Sequence, residues 1–275
     1  MTISKEEVLA KLHQLPSMPA VIQEIMASFK NENLDSSALA EMIARDQGLS
    51  AKVLRVANSP FYGLPRTIAS IPDAVVVMGF NGVRSLVLSA GFVHAFPATP
   101  GSRFDREAYW KHSFRVAGYA KALAQSLHQE PQMAFTAAMF HDIGQLVLDV
   151  CISKQFAEVL QQQRTSGLSL AEIEQEQFGF DHAEIGAEMA MHWNFPVEIE
   201  HAICYWAMPD HEPFKPVTGM VYAAVLLESG LSGKEFSSRL PQALCKNLGV
   251  SWERIEAGLP NSEELDAGAD LLLAA

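Results

Sequence analysis

The stretch MAFTAAMFHDIGQLVLDVC (Met133–Cys151) decides the fold. Its apolar residues recur at helical spacing, which predicts a helix over Met133–Cys151, and His141-Asp142-Ile143-Gly144 is set into it. The pattern continues on both sides, with predicted helices from about Tyr109 to Gln129, Ser169 to Phe178 and His182 to Trp193. Nearer the N-terminus, Val21, Ile22, Ile25, Met26 and Phe29 share one helix face. Leu39, Met42 and Ile43 repeat the pattern behind Asp35, a good N-cap. Ser4-x-x-Glu7 and Ser169-x-x-Glu172 are capping-box patterns, in which hydroxyl and carboxylate satisfy orphan N–H groups reciprocally. Strand-like alternation is scarce. Ala74–Met78 (AVVVM) is the one β-branched run, and Pro72-Asp73 before it with Gly79 behind suits a short buried helix equally well. The expected fold class is all-α.

Punctuation divides the chain into three parts. Ser59–Pro65 reads as a turn, and Phe96–Ser102 (FPATPGS) as a linker. The expected parts are an N-terminal helical lobe over 1–96, a second helical lobe over 97–240 and a C-terminal helical tail over 241–275. Apolar residues on both sides of the linker predict one packed unit of two lobes.

The 275 residues include 20 basic and 32 acidic side chains, a net charge of −12. That balance disfavours non-specific nucleic-acid binding, which needs clustered Lys and Arg against phosphates. With 49% hydrophobic residues there is ample material for a core, and disorder is not expected. Cys151, Cys204 and Cys245 are an odd number without CxxC spacing, so neither a disulfide framework nor a thiolate zinc site follows. Glu6 and Glu7 stand where a signal peptide would carry basic and then apolar residues. The most apolar stretch, Ala74–Phe96, holds Asn81, Arg84, His94 and three glycines and is expected to fall short of the ~18–20 uninterrupted apolar residues of a spanning helix, so no membrane association is expected and the protein is placed in the cytoplasm.

Adjacent His141 and Asp142 can aim a nitrogen and a carboxylate oxygen at one cation, and Gly144 permits close approach of another element. His112 lies on a stripe with Val116, Tyr119 and Leu123, where an ionisable group is costly to bury alone. His182 opens a later helix, with Gly186 one turn on. Together His112, His141, Asp142 and His182 offer three imidazoles and a carboxylate to a single divalent metal: Fe, Mn, Zn or Ni by donor type. The competing reading makes them core polar groups satisfied by backbone. Lys111 and Arg115 flank His112 and are candidate contacts to a ligand or substrate phosphate. In Val56–Gly63 (VANSPFYG), Asn58 and Tyr62 are candidate partner-surface residues. The alternative is a helix-ending turn in which Asn58 and Ser59 satisfy backbone groups while Phe61 and Tyr62 pack inward; Phe61 is expected to do so, and Tyr62 is left open.

Trp110–Ala117 (WKHSFRVA) resembles the first-His helix of the HD superfamily of metal-dependent phosphohydrolases, and Met139–Gly144 (MFHDIG) its HD helix. Phe180–Gly186 (FDHAEIG) resembles the next block of the HD-GYP cyclic-di-GMP phosphodiesterases. In the first half, Leu15–Pro19 (LPSMP), Ile43–Ser50 (IARDQGLS), Val53–Ser59 (VLRVANS) and Ile71–Val75 (IPDAV) with Met78-Gly79 resemble the HDOD family, a helical and largely non-catalytic relative. Similarity runs from about Leu12 to Ala224. The resemblance implies a two-lobed helical HDOD fold with an HD-type core in the second lobe.

The departures bear on function. Where HD-GYP enzymes carry a His-His pair, this chain has Tyr205 and Trp206, and Val225 stands where the resemblance calls for the final Asp. Gln145–Asp149 follows HDIG directly, without a GYP-type segment. A two-metal reaction needs enough donors to hold two cations roughly 3.5–4 Å apart, so at most a mononuclear site is expected. Asp210 and His211 are the nearby residues able to re-supply a ligand. The expected function is a non-catalytic bacterial signal-transduction module binding a signalling protein or small-molecule ligand. The alternative is a mononuclear HD-type phosphohydrolase acting on a nucleotide or cyclic dinucleotide.

Overall fold

The computed structural model describes residues 3–12, 19–30, 36–96 and 99–274. Helices α1 (Lys5–Leu12), α2 (Ala20–Ala27), α3 (Ser36–Ala44), α4 (Gln47–Ala57) and α5 (Ile71–Ala95) form the N-terminal part. Helices α6 (Arg106–Ser126), α7 (Pro131–Met139), α8 (Ile143–Ser166), α9 (Leu170–Phe178), α10 (His182–His192), α11 (Val197–Tyr205) and α12 (Pro216–Glu228) form the second. Four short C-terminal helices follow: α13 (Gly233–Arg239), α14 (Gln242–Leu248), α15 (Trp252–Ile255) and α16 (Ser262–Leu273). Among the described residues there is no strand, so the fold is all-α.

Local sequence explains many boundaries. Asp46, Asp105, Asp181 and Asn261 each accept a hydrogen bond from a backbone N–H in the first turn of the helix they precede. Ser169 and Glu172 form the full capping box, and Ser4 and Glu7 exchange the same pair of bonds. The Asp35 cap, Leu15–Met18 of the LPSMP motif and residues 97–98 of the linker lie outside the described residues. The β-branched run Ala74–Met78 is helical, within α5, and the backbone breaks from helix immediately after it, at Gly79 (φ 78°, ψ 163°).

Two expectations are corrected. Met133–Cys151 is two helices: α7 ends at Met139 and α8 begins at Ile143. Across the break the N–H groups of Phe140, His141 and Ile143 bond three residues back, to the carbonyls of Ala137, Ala138 and Phe140. The break is buried on both sides, so apolar periodicity runs through it. Secondly, Ile71–Val93 is long and apolar enough by length and composition to cross a membrane, as is the run Pro131–Ser166. Most of each is buried inside the fold, as core helices are.

One hydrophobic core extends from Val8 to Leu272 and takes residues from all three parts of the chain. The tail is woven into it. A Cβ at Gly118 of α6 would come within 2.2 Å of Leu265, and one at Gly268 within 2.6 Å of Phe114 and 3.3 Å of Phe61, so α16 lies hard against α6 and the Pro60–Tyr62 turn. A buried ion pair secures the junction: Arg106 Nε donates to Asp149 Oδ2 (3.0 Å) while its Nη1 donates to the Phe96 carbonyl (3.1 Å).

Candidate metal centre

The turn between α7 and α8 presents His141 and Asp142, and Gly144 makes their setting possible. A Cβ on Gly144 would lie 1.8 Å from the His182 carbonyl oxygen and 2.8 Å from the Gly186 nitrogen, so the first turns of α8 and α10 touch backbone to backbone. That contact brings Asp142 and His182 together. Asp142 occupies the N-cap position of α8, yet its side chain does not cap the helix. Its carboxylate faces the site instead, a departure from the usual use of Asp there.

His112, His141 and Asp142 form a group whose donor atoms all lie within 4.8 Å of one another. Both imidazoles are oriented through Nδ1. That of His141 donates to the Ala138 carbonyl (2.7 Å), and that of His112 faces Glu228 Oε2 of α12 at 3.0 Å. His141 Nε2 is buried without a hydrogen-bond partner. A neutral imidazole with Nδ1 anchored and Nε2 bare is prepared to ligate a metal. Burial holds His141 below its ordinary pKa, favouring the neutral ring. Burial would raise Asp142, but His141 and His182 beside it hold it well below the usual carboxylate range. The residues therefore fit a single divalent cation.

His182 stands beside this group rather than in it. Its Nδ1 meets Glu174 Oε2 at 2.5 Å and its Nε2 lies 3.4 Å from Asp142 Oδ1. Burial opposes charging the ring, but the Glu174 carboxylate outweighs it and lifts His182 well above an ordinary imidazole. The ring lies between two buried carboxylates, Glu174 and Asp142, an environment that favours its charged form. Trp206 at the end of α11 adds another donor, its indole N–H meeting Asp142 Oδ1 at 3.0 Å. Gln145 donates to Oδ2 at 2.8 Å. An indole N–H donates only and cannot ligate a cation.

A cavity of about 630 Å³ opens beside the group, lined among others by Tyr109, His112, Asp142, His182, Trp206 and Arg164. Lys111 and Arg115 do not line it. Lys111 pairs with Glu107 and Asp270 (both 2.9 Å), and Arg115 with Glu228 (3.1 Å) and Asp266 (2.8 Å). Both therefore tie α6 to the C-terminal half. His211 stacks on Tyr205, ring centroids 3.8 Å apart, outside the cavity lining. Asn58 closes its own loop, donating to the Leu54 and Ile68 carbonyls and accepting from the Ile68 N–H. Tyr62 packs edge-on to Phe61, under Lys121. The sequence reading missed Glu174 and Glu228. Each sits on an apolar helix face, the same signal that singled out His112.

This geometry defines a helical protein with a His-His-Asp group able to hold a divalent metal. The chain belongs to the HDOD domain family, which it matches over residues 15–209. A Shewanella amazonensis SB2B protein with a provisional phosphohydrolase name superposes with a TM-score of 0.81, at 29% identity and 98% coverage of both chains. An HDOD domain protein of unknown function from Geobacter sulfurreducens gives the same TM-score and coverage at 24% identity, a likeness of fold. An uncharacterized protein from Treponema pallidum (strain Nichols) is 23% identical over 248 residues, covering 89% of this chain. The chain spans about half the length of that relative, 48%.

Proposed function

We propose that this protein is a non-catalytic signal-transduction module, in which the cavity beside His112, His141 and Asp142 takes a single metal or small ligand and the helical body carries the resulting state to a partner protein. One observation carries the reading: both oxygens of the Asp142 carboxylate already face protein groups, Oδ1 the Trp206 indole N–H and His182 Nε2, Oδ2 the Gln145 amide. A carboxylate that bridges two cations gives both oxygens to metal, and here protein groups take up part of that capacity. The decisive test is hydrolysis of cyclic dinucleotides and nucleotides with added Mn²⁺ or Fe²⁺. No turnover above that of the His141→Ala variant is expected. Turnover at ordinary enzymatic rates that His141→Ala abolishes overturns the proposal.

A second reading, a mononuclear phosphohydrolase, is favoured by the bare His141 Nε2 and the adjoining cavity. His112, His141 and Asp142 would hold the metal, which when bound polarises a phosphoryl oxygen and acidifies its water. Glu228 and the Ala138 carbonyl would orient the two imidazoles. Stoichiometric metal by plasma mass spectrometry, together with that turnover, would decide for it.

A further inference from the structure

A second cavity, of about 660 Å³, lies between α10 and α11 and is lined by none of His112, His141 and Asp142. Its apolar surface is unusually open: Met191 is 47%, Val197 59% and Met208 55% exposed. These are three of the five exposed large hydrophobic residues among those described. Thioether side chains adapt to varied apolar partners and are over-used on binding surfaces. Around this floor stand four carboxylates, Asp181, Glu184, Glu188 and Glu200.

The carboxylates outnumber the cations around them, although Asp181 also caps α10 and Glu184 also accepts from Gln175. Lys5 of α1 reaches Glu184 at 3.1 Å and Glu188 at 3.4 Å, and no other basic side chain lines the cavity apart from His201. Partial burial and the neighbouring Glu188 both push the Glu200 carboxyl above its usual range, the behaviour of an anion short of counter-charge. The four are too dispersed for a metal ion: among the described residues the group close enough to hold one is His112, His141 and Asp142. The net charge of −12 adds a field that repels nucleic acid and anionic lipid. An open apolar floor within an acidic rim complements a chain segment with apolar residues on one face and Lys or Arg flanking them.

We infer that the groove between α10 and α11 is a docking site for a basic amphipathic helix of a partner protein, its apolar side chains seated on Met191, Val197 and Met208 and its cations on Glu184, Glu188 and Glu200. Lys5 holds two of those carboxylates in the free protein and shows the cation geometry the rim accepts. The groove shares Asp181, Cys204 and Met208 with the cavity at the ligating group, so the two sites adjoin. The docking inference does not depend on whether that group binds metal or turns over substrate.

The test is fluorescence anisotropy with the full chain and a labelled designed helical peptide, Leu on one face and Lys and Arg on the other. Two comparison peptides carry the same composition in shuffled order and the same pattern with Glu replacing the basic residues. The basic amphipathic peptide should bind at least about tenfold more tightly than either, and binding should weaken as salt rises. Glu188→Lys with Glu200→Lys, and separately Val197→Asp, should each weaken it about tenfold. All three positions are at or near the surface, and an unchanged thermal transition would show that the variants fold. Hydrogen-exchange protection on peptide addition should fall on α10 and α11. Binding that ignores these substitutions, equal binding of the shuffled peptide, protection elsewhere, or no binding at millimolar peptide overturns the inference.

Discussion

Gly144→Ala is the sharpest perturbation of the architecture behind the site. The added methyl would sit 1.8 Å from the His182 carbonyl oxygen, where a carbon–oxygen contact needs roughly 3.3 Å. The first turns of α8 and α10 must then separate by about 1.5 Å, and the obstacle is backbone, which has no rotamer to escape into. Overpacking of a tight core costs about 1–3 kcal/mol, and a backbone clash belongs at the upper end, so about 3 kcal/mol is expected. With a urea m-value of about 3 kcal/mol per M for a chain of this size, the midpoint should fall by about 1 M. The matched control is Gly48→Ala, where the nearest atom is Asp46 Oδ1 at an ordinary 3.5 Å, with an expected change within about 0.5 kcal/mol. Because Asp142 lies two residues before Gly144 and moves with the first turn of α8, Gly144→Ala should also weaken metal uptake in a competition assay with a chromophoric chelator. A Gly144→Ala protein within about 0.5 kcal/mol of the parent would refute the claim that this crossing is set by backbone contact.

Three further substitutions probe other parts of the molecule. Trp206→Phe removes the indole donor to Asp142 and should lower the urea stability of chelator-treated protein by about 1.5–3 kcal/mol, while easing metal uptake. Asp149→Ala removes the carboxylate facing Arg106 at the junction between the first two parts, leaving Arg106 the Phe96 carbonyl and Thr99, and should cost about 1.5–3 kcal/mol by the same measurement. Lys121 packs over Phe61 and Tyr62, and burial lowers its pKa from the ordinary 10.5 to about 8. Between those values the unfolded chain binds more protons, so stability should rise with pH from about 8 to 10.5 and be lost as pH falls through 8. The gain should be below about 3 kcal/mol, since the aromatic faces favour the charged form, and Lys121→Met should flatten that part of the profile.

Helices and several of their starts were legible because periodicity, Asp and Ser caps and glycine stops act over a few residues. The motif HDIG likewise marked the chemistry, and His112, His141 and Asp142 do come together. The reading failed where two locally acceptable answers differ only in what lies across space. The helix expected over Met133–Cys151 breaks at Phe140–Asp142, because a buried turn of apolar and ligating residues has the same pattern as a buried helix. Lys111 and Arg115 looked available for phosphate, but apart from Glu107, one turn before Lys111, the carboxylates that hold them come from residues more than a hundred positions away.

The amino-acid order alone determined an all-helical chain with an HD-type donor set, since backbone propensity, capping and residue chemistry are local properties. Tertiary structure decided what each donor does. Glu174 holds His182 against Asp142, Glu228 orients His112, and Trp206 spends its N–H on the carboxylate. Whether a nitrogen is bare, anchored or protonated depends on the group facing it a few ångströms away, and only the packing of α6, α8, α10, α11 and α12 places those groups.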